Sequence, residues 1–309
     1  MKKLMSILLA VLILVSIFAS CNGDDSTTTG DITTTGDITT TDDVTTTTTP
    51  TPPAEPILSS EGLALQMNSD GKSYTVVGIG ECKDTVINIP DEYNDIPVTS
   101  IGFEAFRGNE QITHVYIPNS VTYIDTQAFF SCSSLTTVVI PDTVTYIGIS
   151  AFAGGCYSLT DVKLPANLTS ISENLFFSCR FESITIPDSV TSIGPAAFGS
   201  TKIKSINIPN GVTSIEYGVF SNCKELTSVT IPSSVTSIDM NAFRECEKLE
   251  SIIIPSSVTH ISKNAFYGNE NLIVYCEAES KPEGWDDEWT GDETKDIKVK
   301  EVVWGYDGE

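Results

Sequence analysis

The chain has 309 residues and carries 41 acidic side chains against 17 lysines and arginines, a formal net charge of -24. No basic stripe offsets that charge, which excludes a nucleic-acid partner. Two histidines, and eight cysteines without one CxxC pair, leave little raw material for metal or acid–base chemistry.

Met1-Lys2-Lys3 is positive and Leu4 to Ala19 is almost wholly apolar, the pattern of a secretory signal rather than of a folded element. The stretch ends in Phe18-Ala19-Ser20-Cys21, which resembles a bacterial lipobox, where the signal is cut before a cysteine that carries a diacylglyceryl group. Phe18 stands where that motif usually has Leu. Residues 1–20 are thus expected to be a lipoprotein signal peptide and Cys21 the lipid attachment point, holding the chain on the extracytoplasmic side of a bacterial membrane with its bulk surface-exposed. The alternative is an ordinary signal or an uncleaved anchor, with Cys21 incidental.

Residues 21–60 read as a tether. From Thr27 to Thr51, 15 of 25 residues are threonine, and Pro50, Pro52, Pro53 and Pro56 follow. Little here can be buried, so the arm is expected to be disordered and extended. About 35 such residues could reach up to ~100 Å from a bilayer.

Folding is expected from residue 61. Ala64 to Met67 and Ser73 to Val77 alternate about the polar turn Asn68-Ser-Asp-Gly71, a hairpin signature. Val86 to Pro90 then opens a repeat. Its prolines are Pro118, Pro141, Pro165, Pro187, Pro209, Pro232 and Pro255, separated by 23, 24, 22, 22, 23 and 23 residues. Phe106, Phe129, Phe152, Phe176, Phe198, Phe220, Phe243 and Phe266 keep the same step. Such a period, carrying one short strand, is the mark of a leucine-rich repeat solenoid, in which a coil buries its apolar face only by stacking on the next. The expected fold is β-rich, with about eight coils of 22–24 residues and a parallel sheet over residues 61–276. Atypical segments should cap both ends, because one face of each terminal coil meets water.

One coil shows the logic. In Leu226-Thr-Ser-Val229-Thr-Ile231-Pro232, Val229 and Ile231 point inward and Thr230 outward. Pro232 ends the strand because it cannot donate to a ladder. Val235 and Ile238 return to the core, the latter from a second short strand, and Phe243 stacks on Phe220 and Phe266 as part of an aromatic spine. Cys132, Cys179, Cys223 and Cys246 fall three residues after the phenylalanine and Cys156 four after it, while Asn109, Thr201 and Asn269 hold that place elsewhere. A place shared by Cys, Asn and Thr reads as a small inward group bonding to backbone at a turn. The thiols are read as buried and free; an oxidising compartment leaves disulfides as the alternative.

Residues 277–309 gather every tryptophan of the chain, Trp285, Trp289 and Trp304, with Tyr306. They are read as an acidic C-terminal cap in preference to an exposed aromatic site. Asp286, Asp287, Glu288, Asp292 and Glu293 are read as a solvated loop in preference to a calcium site.

Together the repeat Leu226 to Ile238, with Asn241-Ala-Phe243-Arg-Glu-Cys246, resembles the BspA-like family of bacterial surface leucine-rich repeats. Lys281-Pro-Glu-Gly-Trp285 and Val302-Val-Trp304-Gly-Tyr306 resemble a terminal segment seen in such proteins. The resemblance runs from about Gly62 to Gly305 and implies a surface protein. Members include adhesins for host matrix proteins and for other microbes, and the family brings no catalytic motif.

The residues agree on chemistry. His114 and His260 lie six coils apart, or ~30 Å at strand spacing, and no nucleophile and base pair stands out. The chain is therefore expected not to be an enzyme and to need no cofactor or metal. The surface left for binding is the outward side of the repeated strand. His114, Thr137, Asp161, Ser183, Ser205, Ser228 and Ser251 form one file, and Tyr116, Val139, Lys163, Thr185, Asn207, Thr230 and Ile253 the next. The expected site is His114, Tyr116, Thr137, Val139, Asp161 and Lys163, with Tyr123 and Tyr146 adding to an aromatic patch. Its partner would be a host matrix protein, another microbe's surface or a glycan. A cell-envelope spacer without a specific ligand is the rival reading.

Overall fold

The structure, a computed structural model, describes residues 59–291 and 298–308. The expected signal peptide, Cys21, the threonine-rich arm, Asp292 and Glu293 lie outside the described residues. Among the described residues every regular element is a short strand, and no helix is long and apolar enough to cross a membrane.

The chain enters through an antiparallel hairpin of β1 (Ala64–Met67) and β2 (Tyr74–Gly78). Asn68 N–H donates to Ser73 O at 2.8 Å across its turn. β3 (Val86–Asn88) begins a first parallel ladder. β4 (Glu92–Tyr93) folds back antiparallel onto β5 (Ile96–Ile101), with Asn94 and Asp95 at φ 52° and 62° in the turn. Those residues account for the long first spacing, and β5, parallel to β2, begins a second ladder. β6 (His114–Tyr116) and β7 (Tyr123–Ile124), β8 (Thr137–Val139) and β9 (Tyr146–Ile147), and β10 (Asp161–Val162) and β11 (Ser170–Ile171) repeat the pair.

The coil at Pro187 keeps only its second strand, β12 (Ser192–Ile193), so Ser183 and Thr185 stand off the first ladder. Phe181 marks the interruption. It stands six residues before its proline, as Leu135 and Leu226 do, and packs edge-on to Phe176 at 5.3 Å. Ser183 and Thr185 stay exposed while Ile186 is 6% exposed, so the inward–outward alternation persists without a paired strand. The pattern resumes in β13 (Ser205–Asn207) and β14 (Ser214–Ile215), β15 (Ser228–Thr230) and β16 (Ser237–Ile238), and β17 (Ser251–Ile254) and β18 (His260–Ile261). β19 (Ile273–Cys276) and β20 (Glu301–Trp304) extend the first ladder.

Each coil turns from the first ladder to the second at its proline. Pro118, Pro141, Pro209, Pro232 and Pro255 accept a hydrogen bond from the N–H three residues on, at 3.0–3.1 Å. The donor is a valine each time, and all five are at most 1% exposed. One tight turn thus both redirects the strand and seats an apolar side chain.

The third side of the coil has no strand, yet its backbone is hydrogen-bonded from coil to coil. Gln127, Phe129 and Ser131 N–H groups donate to Ile149, Ala151 and Ala153 of the next coil at 2.8–2.9 Å, while Ala128, Phe130 and Cys132 close onto their own turn. Left-handed residues four apart make that alternation, Gln127 and Ser131 about Phe129 and Asn241 and Glu245 about Phe243. Gly154 shows the tightest version: its φ is +68° and an added Cβ would lie 2.2 Å from the Phe130 ring.

Inside runs the aromatic spine. From Phe106 to Phe266 each ring stacks on the next with centroids 5.1–5.9 Å apart and planes within 18°. Beside it the thiols of Cys132, Cys156, Cys179, Cys223 and Cys246 donate to the phenylalanine carbonyl of the preceding coil at 3.1–3.2 Å. Asn269 makes the equivalent bond to Phe243 O at 2.7 Å, which explains why Asn alternates with Cys. All seven cysteines among the described residues are buried and free.

The tail departs from expectation by building one more coil. Trp285 bridges to Ile261 on the second ladder, Phe266 N–H donates to Trp289 O at 3.1 Å on the turn side, and β20 completes the first ladder. Trp285 and Trp289 are 3% and 4% exposed, and Trp289 meets Phe266 edge-on at 5.7 Å. The indoles of Trp285 and Trp289 are therefore packed against the last coils.

Candidate binding surface

Strand alternation builds the outward face of the first ladder. Val115 and Val138 turn inward and are 1% and 2% exposed, which leaves His114, Tyr116, Thr137 and Val139 half-buried on the other side. His114 stands opposite Thr137, Tyr116 opposite Val139, and Asp161 opposite Thr137. Asp161 and Lys163 are exposed. The structure therefore brings five of these residues onto one face of three neighbouring coils, at the ~4.8 Å spacing of strands, with Lys163 exposed one residue past the end of β10.

Local bonds hold the face in place. His114 Nδ1 lies 3.0 Å from Thr113 Oγ1, tying the imidazole back along its own strand, and Thr136 Oγ1 donates to Thr113 O at 2.8 Å. Upstream, Val86 and Asn88 stand opposite His114 and Tyr116. They extend the surface by a coil that the sequence files did not include, although Val86 to Pro90 already carried the repeat signal.

Two expectations separate. Tyr123 and Tyr146 lie on the second ladder, not beside Tyr116: the turn in which Val121 N–H donates to Pro118 O at 3.1 Å stands between them. Beyond the interruption at Pro187 the face is small and hydroxylated, with Ser205 opposite Ser228 and Asn207 opposite Thr230. It becomes apolar again at the C-terminal end, where Ile253, 45% exposed, pairs with Tyr275, and Tyr275 with Val303. Tyr306 packs on Tyr275 with centroids 4.8 Å apart. That second patch escaped the sequence reading because β20 follows β19 after a connection with no Ala-Phe signal, whose proline, Pro282, comes 27 residues after Pro255 instead of 22–24.

Charges decorate rather than organise the surface. Lys204 pairs with Glu182 at 2.5 Å, Lys224 with Glu247 at 2.8 Å and Lys248 with Glu225 at 2.6 Å, each joining neighbouring coils. These side chains are mostly solvated, and such pairs contribute ~0–1 kcal/mol. In the tail Asp287 pairs with Lys281 and Glu288 with Lys263.

The histidines are held apart by the fold. His260 sits on the second ladder opposite Ser237, whereas His114 is on the first. Among the described residues no group of three or more His, Cys, Asp or Glu side chains lies close enough to hold a metal ion. Burial pushes the Cys156 and Cys223 thiols up to about 12 and about 11, well away from nucleophilic use near neutral pH.

Residues 80–201 and 145–273 match the model of the BspA type leucine rich repeat region, in six copies. The chain belongs to that family. Among solved structures this BspA-type chain is similar to a leucine-rich repeat protein from Bacteroides ovatus, at 30% identity and a TM-score of 0.65, over 80% of this chain and 71% of that one. It is also similar to the leucine-rich repeat protein of T. pallidum, at 27% identity and a TM-score of 0.56, over 61% of this chain and 88% of that one. No curated protein matches it.

Proposed function

We propose that this BspA-type protein is a lipid-anchored bacterial surface adhesin that holds an extended protein or glycan on the outward face of its first ladder. The observation that carries the reading is the unbroken register of outward side chains over β3, β6, β8 and β10. His114, Tyr116 and Val139 supply the contact area, and Thr137, Asp161 and Lys163 the polar partners. The ligand belongs to a host matrix, another microbe's surface or a glycan coat. Binding is modest and multivalent, because the face lacks the dense Tyr, Trp and Arg of a strong hot spot. No reaction and no cofactor enter this reading.

Anchoring rests on the charged start, the apolar stretch and Cys21 at its end. Mass spectrometry of the native N-terminus should find acylated Cys21, and Cys21→Ala should release the protein from the membrane. Adhesion is tested by binding the purified protein, wild type and Tyr116→Ser, to a panel of matrix proteins and glycans. Loss of affinity in a folded Tyr116→Ser protein is the expected result; equal affinity for the pair removes this face from the function. One observation favours the rival spacer reading: from Ser205 to Thr230 the outward files hold only Ser, Asn and Thr. A panel with no binder would support it.

A further inference from the structure

The second ladder carries an aromatic feature that the adhesive face does not use. Tyr123 and Tyr146 stand opposite one another on β7 and β9, with ring centroids 4.8 Å apart and planes 11° from parallel. Ile124 and Ile147, next along each strand, are 0% and 1% exposed, so alternation turns the tyrosines outward. Tyr123 is 40% exposed.

The rest of that file decides what the stack offers. Ser100 stands opposite Tyr123 on one side. On the other side the repeat places Ser170, followed by Ser192, Ser214 and Ser237. Each tyrosine is therefore covered on one face by its partner and flanked on the other by a side chain too short to shield a ring. Strand pairing stops at the same point: β9 ends its sheet, and β11 pairs with β12 instead.

Hydrogen-bonding groups surround the stack. Tyr123 Oη donates to Asp125 Oδ1 at 3.4 Å, and Ser100 Oγ lies 2.6 Å from Thr75 Oγ1. Thr122 is exposed next to Tyr123, and Thr145 is exposed next to Tyr146. Burial, then the Asp125 carboxylate, raises the Tyr123 phenol above its ordinary value, so it stays a neutral donor.

We propose that the Tyr123–Tyr146 stack is a subsite for a neutral hexose unit of a glycan, seated with its C–H face on the free face of a tyrosine ring. The ring face is electron-rich and the C–H bonds on one side of a pyranose are weakly positive, so the contact is attractive as well as apolar. The sugar's hydroxyls find acceptors and donors in Asp125 and the neighbouring Ser and Thr hydroxyls. Charge selects among glycans: Asp125 beside the rings and the net charge of -24 oppose sulfated or carboxylated chains. The subsite lies on a different ladder from the adhesive face, so either reading can fail without the other.

The test is titration of the intact protein with neutral gluco-, galacto- and manno-configured oligosaccharides, and with a sulfated one as a charge control. The readouts are tyrosine ring proton signals and affinity. At least one neutral oligosaccharide should shift the Tyr123 and Tyr146 signals saturably, and Tyr146→Ser should weaken it about tenfold, as expected for loss of one aromatic contact. Ser is the residue the repeat itself uses at the Ser170 position, so this variant should fold, and Tyr146→Phe should keep the stack and the binding. Ring signals unmoved by every neutral oligosaccharide overturn the proposal, as does a Tyr146→Ser protein that binds like wild type. Tighter binding of the sulfated chain also overturns it, and so does a protein ligand that needs Tyr146 while no sugar does.

Discussion

Residues 112–156 and residues 203–246 have the same interior and different exteriors. In both, phenylalanine rings stack at nearly equal distances, 5.3 Å for Phe129 on Phe152 and 5.4 Å for Phe220 on Phe243. In both, a thiol donates to the carbonyl of the phenylalanine one coil back. Outside, the first stretch presents Tyr116, Val139, Tyr123 and Tyr146, and the second presents Asn207, Thr230, Ser214 and Ser237 at the equivalent positions. Stacking constrains an inward residue through both neighbouring coils, so every coil must use nearly the same one. An outward residue touches only its file and water, so it can change from coil to coil.

The hardest test of that equivalence is the spine itself. Phe129→Ala and Phe220→Ala should each cost ~3–5 kcal/mol, as a fully buried ring leaves a cavity that stacked neighbours on both sides keep open. Denaturant unfolding should show one cooperative transition for wild type and similar losses for the two variants. A cost under ~1 kcal/mol for one of them would mean that the two interiors are not the same.

Alkaline pH probes the thiols next. Burial raises the Cys156 and Cys223 thiols from 9.0 to about 12 and about 11. Their folded values lie above the unfolded one, so their contribution is complete below pH 9.0 and is lost as pH rises through that value towards 11 and 12. Each such thiol should account for about 1.4 kcal/mol by pH 10. Denaturant midpoints at pH 8 and pH 10 should show the fall, and Cys156→Ala and Cys223→Ala should reduce it equally. Iodoacetamide should label these thiols slowly until the chain is unfolded.

Outside, the two stretches should part. Tyr116→Ser should leave stability within ~0.5 kcal/mol of wild type but weaken ligand binding by ~1 kcal/mol, measured by titration. Thr230→Ser should change neither. A large stability loss in Tyr116→Ser would show that this exterior position is part of the structural repeat. The smallest effect is expected on the turn side, where the Arg244 guanidinium lies 4.8 Å from the Tyr267 ring centre. Arg244→Ala should cost ~0.5 kcal/mol, readable only as a small shift in midpoint.

The tail shows where legibility in the sequence stopped. Phe106 to Phe266 announce their stacking because one residue type recurs at one step. Trp289 does the same job for Phe266 without looking like it, since it has a different ring, reached by a connection with no Ala-Phe before it. β20 follows Cys276 only after such a connection, so the apolar patch of Ile253, Tyr275 and Val303 became visible only once the strands were set side by side. The register of His114, Thr137 and Asp161 was legible in advance, because each stands four residues before its coil's proline even though the step changes from 23 to 24 residues. Ser183 and Thr185 keep their outward exposure, but that their segment lacks a paired strand was not legible, since the next coil has the same 22-residue step and still forms β13.

By itself the sequence determined the solenoid, its inward and outward files, and the buried thiols, because each follows from a short pattern repeated until no other arrangement buries it. Only the tertiary structure decided that Tyr123 and Tyr146 stand on a different ladder from Tyr116, and that the tryptophan tail winds one more coil. Those outcomes depend on the turn at each proline and on contacts between residues 22 or more apart, where a single spacing no longer tells which side of the coil a side chain will face.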